Sequence, residues 1–452
     1  MLIEFSVANF RSFKELQTLS MVAAKINSKD KDVDNNNVVS LNIVTKSNSK
    51  SKEAAKNADS KWNLLTTKAV YGANASGKSN LIKAVAVFLV MVRRSVAISD
   101  LMSLLVKPFL LEKENESKPS FFQLAFTMKN QEQQEVLYRY GFEIQNNTII
   151  TEWLFGSPKG VEVTYFIRED LDVEVNGVFK EAKKFENLAE KGDNEIFRKD
   201  SLFLSAVAAM GGEFAKKIVD KILSINLISS VNDPQLAEFV SEILLENEID
   251  KKAQILSLLK AADFDIQEVE VNKDELNQEE LPPELKTLLQ TGKLKQHPKF
   301  ISKRYLYDVN KEQIGIVQGD FDDWESEGTK KFFYLSPLLI SALSKGRTLV
   351  IDEFDARLHP KLAQKIVQLF NSKNSNPNHA QLIFVTHDTS FLNQHFMRRD
   401  QICFVEKDKY GVSTLTTLDE YKGVRNDLSV EKSYLQGKYG AIPFLNEMDK
   451  VF

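Results

Sequence analysis

The chain has 452 residues, of which 43% are hydrophobic and 27% are charged, and its formal net charge is -4 at pH 7. This composition is typical of a soluble globular protein with two or three domains, and the charge excludes a general attraction to nucleic acid or acidic membranes. The single cysteine, Cys403, excludes an internal disulfide framework. We expect a buried thiol and a cytoplasmic protein.

The N-terminal segment has the apolar spacing of a strand, at residues 2–7. Glu4 and Arg11 interrupt this segment, so it does not have the pattern of a secretion signal. The longest apolar run, "AVAVFLVMV" at 84–92, is about half as long as a membrane-spanning helix. It predicts a buried helix, and we expect no membrane association.

Three parts of the chain differ in their pattern. Residues 25–60 are rich in Lys, Asn, Ser and Asp, which predicts surface loops with one short strand near 41–44, and runs such as "SFFQLAFTM" and "VLYRYGFEI" then predict a β-rich lobe. From about 205 to 298 the apolar spacing becomes helical, which predicts an inserted helical arm. The predicted parts are therefore 1–204, the helical insert 205–298, and 299–452, where strand patterns return.

A phosphate-binding loop is the strongest motif. "GANASGKS" at 72–79 has the spacing G-x-x-x-x-G-K-[ST] between an apolar strand and an apolar helix. Small residues let backbone N–H groups surround phosphate oxygens at the positive end of the helix. Lys78 would reach the β- and γ-phosphates and Ser79 the Mg²⁺ ion. The motif predicts binding of ATP and Mg²⁺ by Gly72, Asn74, Ala75, Ser76, Gly77, Lys78, Ser79 and Asn80.

Two further strand ends carry polar residues suited to phosphoryl transfer. "TLVIDEF" ends in Asp352, which would hold Mg²⁺, and Glu353, which would orient and deprotonate the attacking water. "LIFVTHD" ends in His387, which is placed to sense the γ-phosphate. We therefore assign catalytic roles to Lys78, Glu353 and His387.

The stretch "DDWESEGTKKFFYLSPLLI" at 322–340 sets Gly328 among charges just before an apolar helical pattern. A helix cap explains it locally, because Ser and Thr accept hydrogen bonds at helix N-termini. The local pattern does not decide between a cap and a further function.

Taken together, these segments resemble the ABC-type ATPases of the SMC, RecF and OLD group. They are more closely similar to the stand-alone bacterial AAA-family ATPases of the RloA or AbiL type, which are found in phage-defence loci. The resemblance implies an α/β, ABC-type P-loop head with a mixed central sheet, an antiparallel β subdomain and an inserted helical arm. It also implies that ATP binds between two heads.

The resemblance assigns roles to two more segments. Arg11 and Ser12 in "NFRSF" would contact the nucleotide, and the signature residues Ser326, Gly328 and Thr329 would meet the γ-phosphate held by the other subunit. The chain departs from the family pattern at Glu327, where the consensus has Gly, and at His359, where SMC-like proteins have an aspartate. A carboxylate beside a triphosphate is repulsive unless it points away.

Three functions remain open from the sequence. In the first, the protein is a nucleotide-controlled sensor or scaffold of an abortive-infection system that controls a separate effector, such as a nuclease or toxin, with a phage protein or DNA as trigger. In the second, it is a RecF- or SMC-like DNA-binding ATPase of repair or replication. In the third, it is a scaffold with negligible turnover. The acidic tract "DELNQEELPPEL" of the insert favours a protein partner over DNA. We expect a homodimer that encloses the nucleotide, or a higher homo-oligomer.

Overall fold

The structure is a computed structural model that describes residues 1–28, 30–44, 59–185, 197–229, 234–245, 249–272, 298–424 and 429–442. Its strands are β1 (Leu2–Ala8), β2 (Gln17–Ser20), β3 (Val38–Val44), β4 (Asp59–Leu65), β5 (Thr67–Tyr71), β6 (Ser120–Lys129), β7 (Glu135–Gln145), β8 (Thr148–Gly156), β9 (Val163–Glu169), β10 (Asp172–Val175), β11 (Asn226–Ile228), β12 (Glu268–Asn272), β13 (Lys299–Tyr307), β14 (Gln313–Asp320), β15 (Thr348–Ile351), β16 (Gln381–Val385), β17 (Ile402–Lys407) and β18 (Ser413–Thr417).

The helices of the described residues are α1 (Lys31–Asn36), α2 (Lys78–Arg94), α3 (Leu101–Leu105), α4 (Lys180–Lys183), α5 (Phe203–Ala209), α6 (Glu213–Leu223), α7 (Pro234–Leu245), α8 (Ile249–Ala261), α9 (Phe321–Trp324), α10 (Glu327–Lys345), α11 (Pro360–Asn371) and α12 (Val430–Leu435). None of these helices is long and apolar enough to cross a membrane.

A large antiparallel sheet forms the β-rich lobe. Its strands lie in the order β10, β9, β8, β7, β6, β1 and β2, while β3 pairs with β4 and touches β7. In β7 and β8 the side chains alternate between buried and partly exposed over much of each strand, which is typical of a sheet with one face on a core. The predicted β lobe and the α/β fold class are confirmed.

The second sheet is mostly parallel and lies at the centre of the fold. Its order is β11, β15, β16, β5, β17 and β18, and only β18 runs antiparallel to its neighbour. Val70 packs into one hydrophobic cluster with α2 and the β lobe, whereas Ala69 and Tyr71 pack into another with α10 and α11. Both faces are therefore covered, which explains the continuous apolar runs in these strands.

The segment 205–298, which we expected to be a helical insert, is not helical throughout. Its described part contains most of α5 and all of α6, α7 and α8, but β11 joins the parallel sheet beside β15, and β12 pairs with β13 in a third sheet, completed by β14. Strand β11 has only three residues, too few to show a period-2 pattern. The acidic tract lies outside the described residues, and the boundaries of the insert as a separate unit stay a prediction.

Several local predictions agree with the structure. Residues 84–92 lie within the mostly buried helix α2, the short strand near 41–44 is part of β3, and Cys403 is a buried free thiol in β17. Helix α1 was not expected in the polar region 25–60. It begins at an Asp30 cap, whose side chain accepts a hydrogen bond from Asp32 N.

A buried carboxylate joins the β lobe to the helices that pack on α2. Glu152 of β8 accepts hydrogen bonds from Phe203 N (2.7 Å), Leu204 N (3.0 Å) and Tyr140 Oη (2.9 Å). Arg168 of β9 lies 3.4 Å from the same carboxylate, and both side chains are fully buried. This arrangement caps α5 from the sheet and so fixes the sheet against the helices.

We predict that Arg168→Met lowers the free energy of unfolding by about 3–5 kcal/mol, because it leaves the Glu152 carboxylate buried without its cation. Urea denaturation measures the change. Arg139→Met is the matched control, since Arg139 forms an exposed ion pair with Glu162, and there we expect less than about 1 kcal/mol. Similar losses in both variants would contradict the prediction.

Candidate functional site

The candidate site lies where three parallel strands end. In the register of the sheet, Ile351 of β15 faces Phe384 of β16, and Val385 faces Val70 of β5. The residues that follow, 72–79, 352–353 and 386–387, therefore leave the sheet at one edge. Carboxyl ends of parallel strands are where ligands bind in such sheets.

The loop 72–79 packs too tightly for a side chain at Gly77. This residue has a φ of 119°, and a methyl group added to it would lie 2.4 Å from Ser413 Oγ and 2.9 Å from Ser12 Oγ. Gly77 is also the N-cap of α2 and provides no side-chain acceptor. The N–H groups of the first helical turn therefore lack a side-chain partner within this cap, as an anion-binding helix end requires.

Lys78 lies against the loop. Its Nζ donates to the carbonyl oxygens of Gly72 (2.7 Å) and Ala73 (2.8 Å). Partial burial lowers the pKa of Lys78, while the negative charges of Asp352 and Asp355 act in the opposite direction. The amine of Lys78 therefore lies beside the loop, where it interacts electrostatically with Asp352 and Asp355.

The N-terminal segment borders the same loop through Ser12, while the predicted contacts of Arg11 and Ser12 with nucleotide stay predictions. Asn80 Nδ2 donates to Ser12 Oγ (2.8 Å), and the backbone N–H of Arg11 donates to Lys107 O (2.8 Å). Within the described residues, Arg11 Nε and Ser76 Oγ are buried and have no hydrogen-bond partner. The unpaired hydroxyl of Ser76, which is part of the loop, fits a site that binds a polar ligand, because a buried polar atom without a partner is costly.

The acidic pair Asp352 and Glu353 begins a sharp turn at residues 352–357, the turn after β15. Asp352 is 9% exposed and its Oδ1 accepts a hydrogen bond from Glu353 N (3.0 Å). Glu353 is exposed and has a φ of 48°, in the left-handed region that non-glycine residues rarely adopt. The turn aims one carboxylate inward and leaves the other accessible.

Oxygen ligands suited to Mg²⁺ are present at this edge. Ser79 provides a hydroxyl and Asp352 a carboxylate, which are the donor types that Mg²⁺ prefers, and Mg²⁺ in nucleotide sites takes its other ligands from phosphates and water. The residues therefore fit a magnesium–nucleotide complex, although the ligand roles of Ser79 and Asp352 stay predictions.

His387 follows β16 at the same edge. Its backbone N–H donates to Asp355 Oδ1 (3.3 Å), so the histidine and the turn after β15 are linked. Partial burial and the nearby charge of Lys78 lower the pKa of His387, against the opposing effect of Asp355, Glu353 and Asp352. This shift favours the neutral imidazole, which can donate one hydrogen bond and accept another.

The signature segment is a helix cap that contacts the turn after β15. Ser326 Oγ accepts from Thr329 N (3.2 Å) as the N-cap of α10, so the cap reading is confirmed locally. A methyl group on Gly328 would lie 2.6 Å from Arg357 O. Within the described residues, the hydrogen bonds of Ser326 and Thr329 stay inside this first turn, and none reaches the loop 72–79. Their role across a dimer interface stays a prediction.

Both departures from the family pattern have local partners. Glu327 forms an ion pair with Lys330 (3.1 Å) and a close one with Arg357, and the hydrogen bond from Lys330 lowers the pKa of its carboxyl group. His359 is the N-cap of α11, where its Nδ1 accepts from Lys361 N (3.2 Å). The charge of Glu327 is therefore balanced within the chain.

The sequence did not reveal two residues of the site. Ser413 Oγ donates to Ser76 O (2.6 Å) and Ser413 N donates to Ser12 O (2.7 Å), so Ser413 joins the loop to the N-terminal segment, and nothing in its local sequence marks it. Lys331 contacts the turn after β15 and could have been noticed. It occupies the helical face of Leu335 and Leu339, where a charge is unexpected.

We predict that Gly328→Ala lowers the free energy of unfolding by about 1–2 kcal/mol, even though alanine favours a helix by about 1 kcal/mol, because the methyl group must displace the Arg357 carbonyl. Chemical denaturation tests this. Gly315→Ala is the control, since no atom lies within 4 Å of a methyl group there. The prediction is wrong if Gly328→Ala is as stable as the wild type.

Comparison with known proteins identifies the family of the chain. Residues 69–393 match the family described as "AAA domain, putative AbiEii toxin, Type IV TA system". No curated protein matches the chain. Among solved structures, the SMC head domain from Thermotoga maritima is similar, at 11% sequence identity and a TM-score of 0.35, over 92% of this chain and 98% of that one. The family match includes Lys78, Gly328, Asp352 and His387. Because it covers most of the chain, the protein belongs to this family of AAA domains.

Proposed function

We propose that the protein is a cytoplasmic ATPase that binds Mg²⁺–ATP at the loop 72–79, and that its nucleotide state controls a separate effector protein in a bacterial defence against phages. One observation carries the first part: the strand ends bring Lys78, Asp352, Glu353 and His387 to one edge of the sheet. The family description, "putative AbiEii toxin, Type IV TA system", supports a role in such a system, and the control of a separate effector is our proposal. The narrower RloA or AbiL-type assignment is part of this proposal.

Binding would use groups that are already in place. The N–H groups of the loop and of the first turn of α2 would surround the phosphates, and Arg11 and Ser12 would border them from the N-terminal segment. Lys78 would exchange its two carbonyl partners for phosphate oxygens. Ser79 and Asp352 would hold Mg²⁺, which when bound would neutralise charge on the phosphates.

Hydrolysis would depend on Glu353 and His387. The Glu353 side chain is exposed and can orient a water molecule and accept its proton. The imidazole of His387 can donate a hydrogen bond to the γ-phosphate that water attacks. Through the hydrogen bond from His387 N to Asp355, the presence or absence of the γ-phosphate would affect the turn after β15.

A second head would complete the site. Ser326 and Glu327 are exposed at the N-terminus of α10, where helix N–H groups attract anions. Since the pair of Glu327 with Arg357 and Lys330 balances its charge, the carboxylate does not oppose the approach of a triphosphate as strongly as the sequence suggested. We therefore propose that two heads enclose ATP, each offering Ser326, Gly328 and Thr329 to the other.

We predict that Lys78→Ala weakens Mg²⁺–ATP binding by about 100-fold, since a charge-assisted hydrogen bond contributes about 1.5–3 kcal/mol. Calorimetry or a fluorescent ATP analogue measures this. Lys83→Ala is the matched control, because Lys83 is exposed on the same helix, and it should bind as the wild type does. Equal affinity in both variants would remove Lys78 from the site.

We predict that Glu353→Gln keeps Mg²⁺–ATP binding and slows turnover by about 100-fold or more, because the amide cannot accept the proton of water. Because this variant should stay bound to ATP, it should also form dimers, which sedimentation velocity detects. The dimers should dissociate when ADP replaces ATP. Wild-type turnover in this variant would exclude Glu353 as the base, and a monomer at all ATP concentrations would contradict the enclosed-nucleotide arrangement.

The role in defence is tested in cells and in solution. Expressed with its neighbouring reading frame, the wild-type protein should reduce phage plaques, and Lys78→Ala should abolish this protection. In pull-downs, Glu353→Gln should hold the effector when ATP is present. If the protein instead binds DNA, with an affinity that falls steeply between about 50 and 200 mM salt, and plaques are unchanged, the DNA-repair function is favoured.

A further inference from the structure

Lys331 is a charged side chain buried in the interior of the protein. It is 2% exposed and lies on the apolar face of α10. Its Nζ donates to the backbone carbonyl oxygens of Glu353 (2.7 Å) and Ala356 (2.9 Å). The lysine therefore spans the turn that begins with the acidic pair.

An ammonium group in this position is costly. Burial lowers the pKa of Lys331 to about 8, although the nearby charges of Asp355 and Glu353 favour the protonated form and Arg357 disfavours it. A leucine or methionine would fill the same apolar face without this cost. Either residue would, however, leave the carbonyl groups of Glu353 and Ala356 without this donor, so the lysine is explained by its contacts with the turn.

The turn that Lys331 spans is strained. Glu353 has a φ of 48° and Arg357 a φ of 67°, left-handed conformations that are unfavourable for non-glycine residues and persist only where the surrounding structure holds them. The two hydrogen bonds from Lys331 hold the carbonyl groups of Glu353 and Ala356, and so fix the peptide that follows the Glu353 side chain.

The signature segment lies at the N-terminus of α10, the helix that carries Lys331. Gly328 packs against Arg357 O, and Glu327 pairs with the Arg357 side chain. The turn after β15 also contacts the end of β16, through the hydrogen bond from His387 N to Asp355. A continuous set of contacts therefore runs from His387, through the turn, to the N-terminus of α10.

We propose that Lys331 is a positioning residue that orients the Glu353 carboxylate toward the candidate site. Through the same turn, Lys331 also couples the nucleotide state of that site to the conformation of the signature segment of the same chain. This inference rests on the proposed ATPase function. Because that segment would serve the nucleotide of the other head, Lys331 would couple the two sites of a dimer. It would do so without touching nucleotide or metal.

The test is Lys331→Met, which keeps the apolar stem and removes the donors. We expect Mg²⁺–ATP affinity and KM within about 2-fold of the wild type and a kcat lower by about 100-fold, the usual scale for a misplaced catalytic group. In the Glu353→Gln background the same substitution should change the residual single-turnover rate by less than about 3-fold, because two residues that act as a unit are not additive. Wild-type kcat, or the same loss in both backgrounds, would overturn the proposal.

Lys345→Met is the matched control, because Lys345 is exposed at the far end of the same helix, and it should keep the wild-type kcat. If Lys331→Met does not fold, as urea denaturation would show, Lys331→Gln is measured in its place. Its shorter amide retains donors, and we expect a lower kcat at unchanged KM. A kcat of Lys331→Gln equal to that of the wild type would overturn the proposal. If the wild-type protein itself shows no Mg²⁺–ATP turnover, both this proposal and the proposed ATPase function are wrong.

Discussion

The parallel pairing of β15, β16 and β5 determines where the loop 72–79, the acidic pair 352–353 and His387 lie. Backbone hydrogen bonds set the register, so the strands end at one edge and Gly72, Asp352 and His387 leave the sheet there. Both faces of the sheet are buried, which prevents the strands from shifting without exposing apolar side chains. The site is thus a consequence of the sheet rather than of flexible loops.

The loop 72–79 depends in turn on parts of the chain that are far apart in sequence. Ser12 and Ser413 pack against Gly77, and Ser413 bonds to Ser76 O. The helix that follows the loop is held by the β lobe through α5, whose N-terminus is capped by Glu152. The position of the loop 72–79 therefore depends on contacts with segments in which the sequence shows no phosphate-binding motif.

The unusual residues of the signature region are understood through their partners. Glu327 occupies a position where the family pattern has glycine, but Lys330 and Arg357 balance its charge. Gly328 is required by the close approach of Arg357 O, so its absence of a side chain already has a reason within one chain. Any contact that this helix end makes with a nucleotide would add to a structural role that is already present.

Patterns of neighbouring residues were enough to predict the local elements of the candidate site. The glycine spacing of 72–79, the apolar runs before Asp352 and His387, and the Ser326 cap are patterns of neighbouring residues, and the structure contains each of the corresponding elements. Only the tertiary structure showed that β11 joins the parallel sheet, that Ser413 contacts the loop, and that Lys331 holds the turn at Glu353. These are contacts between residues distant in sequence, made by a three-residue strand, a lone serine and a lone lysine. No periodicity or motif encodes such contacts, because they arise from the packing of the whole chain.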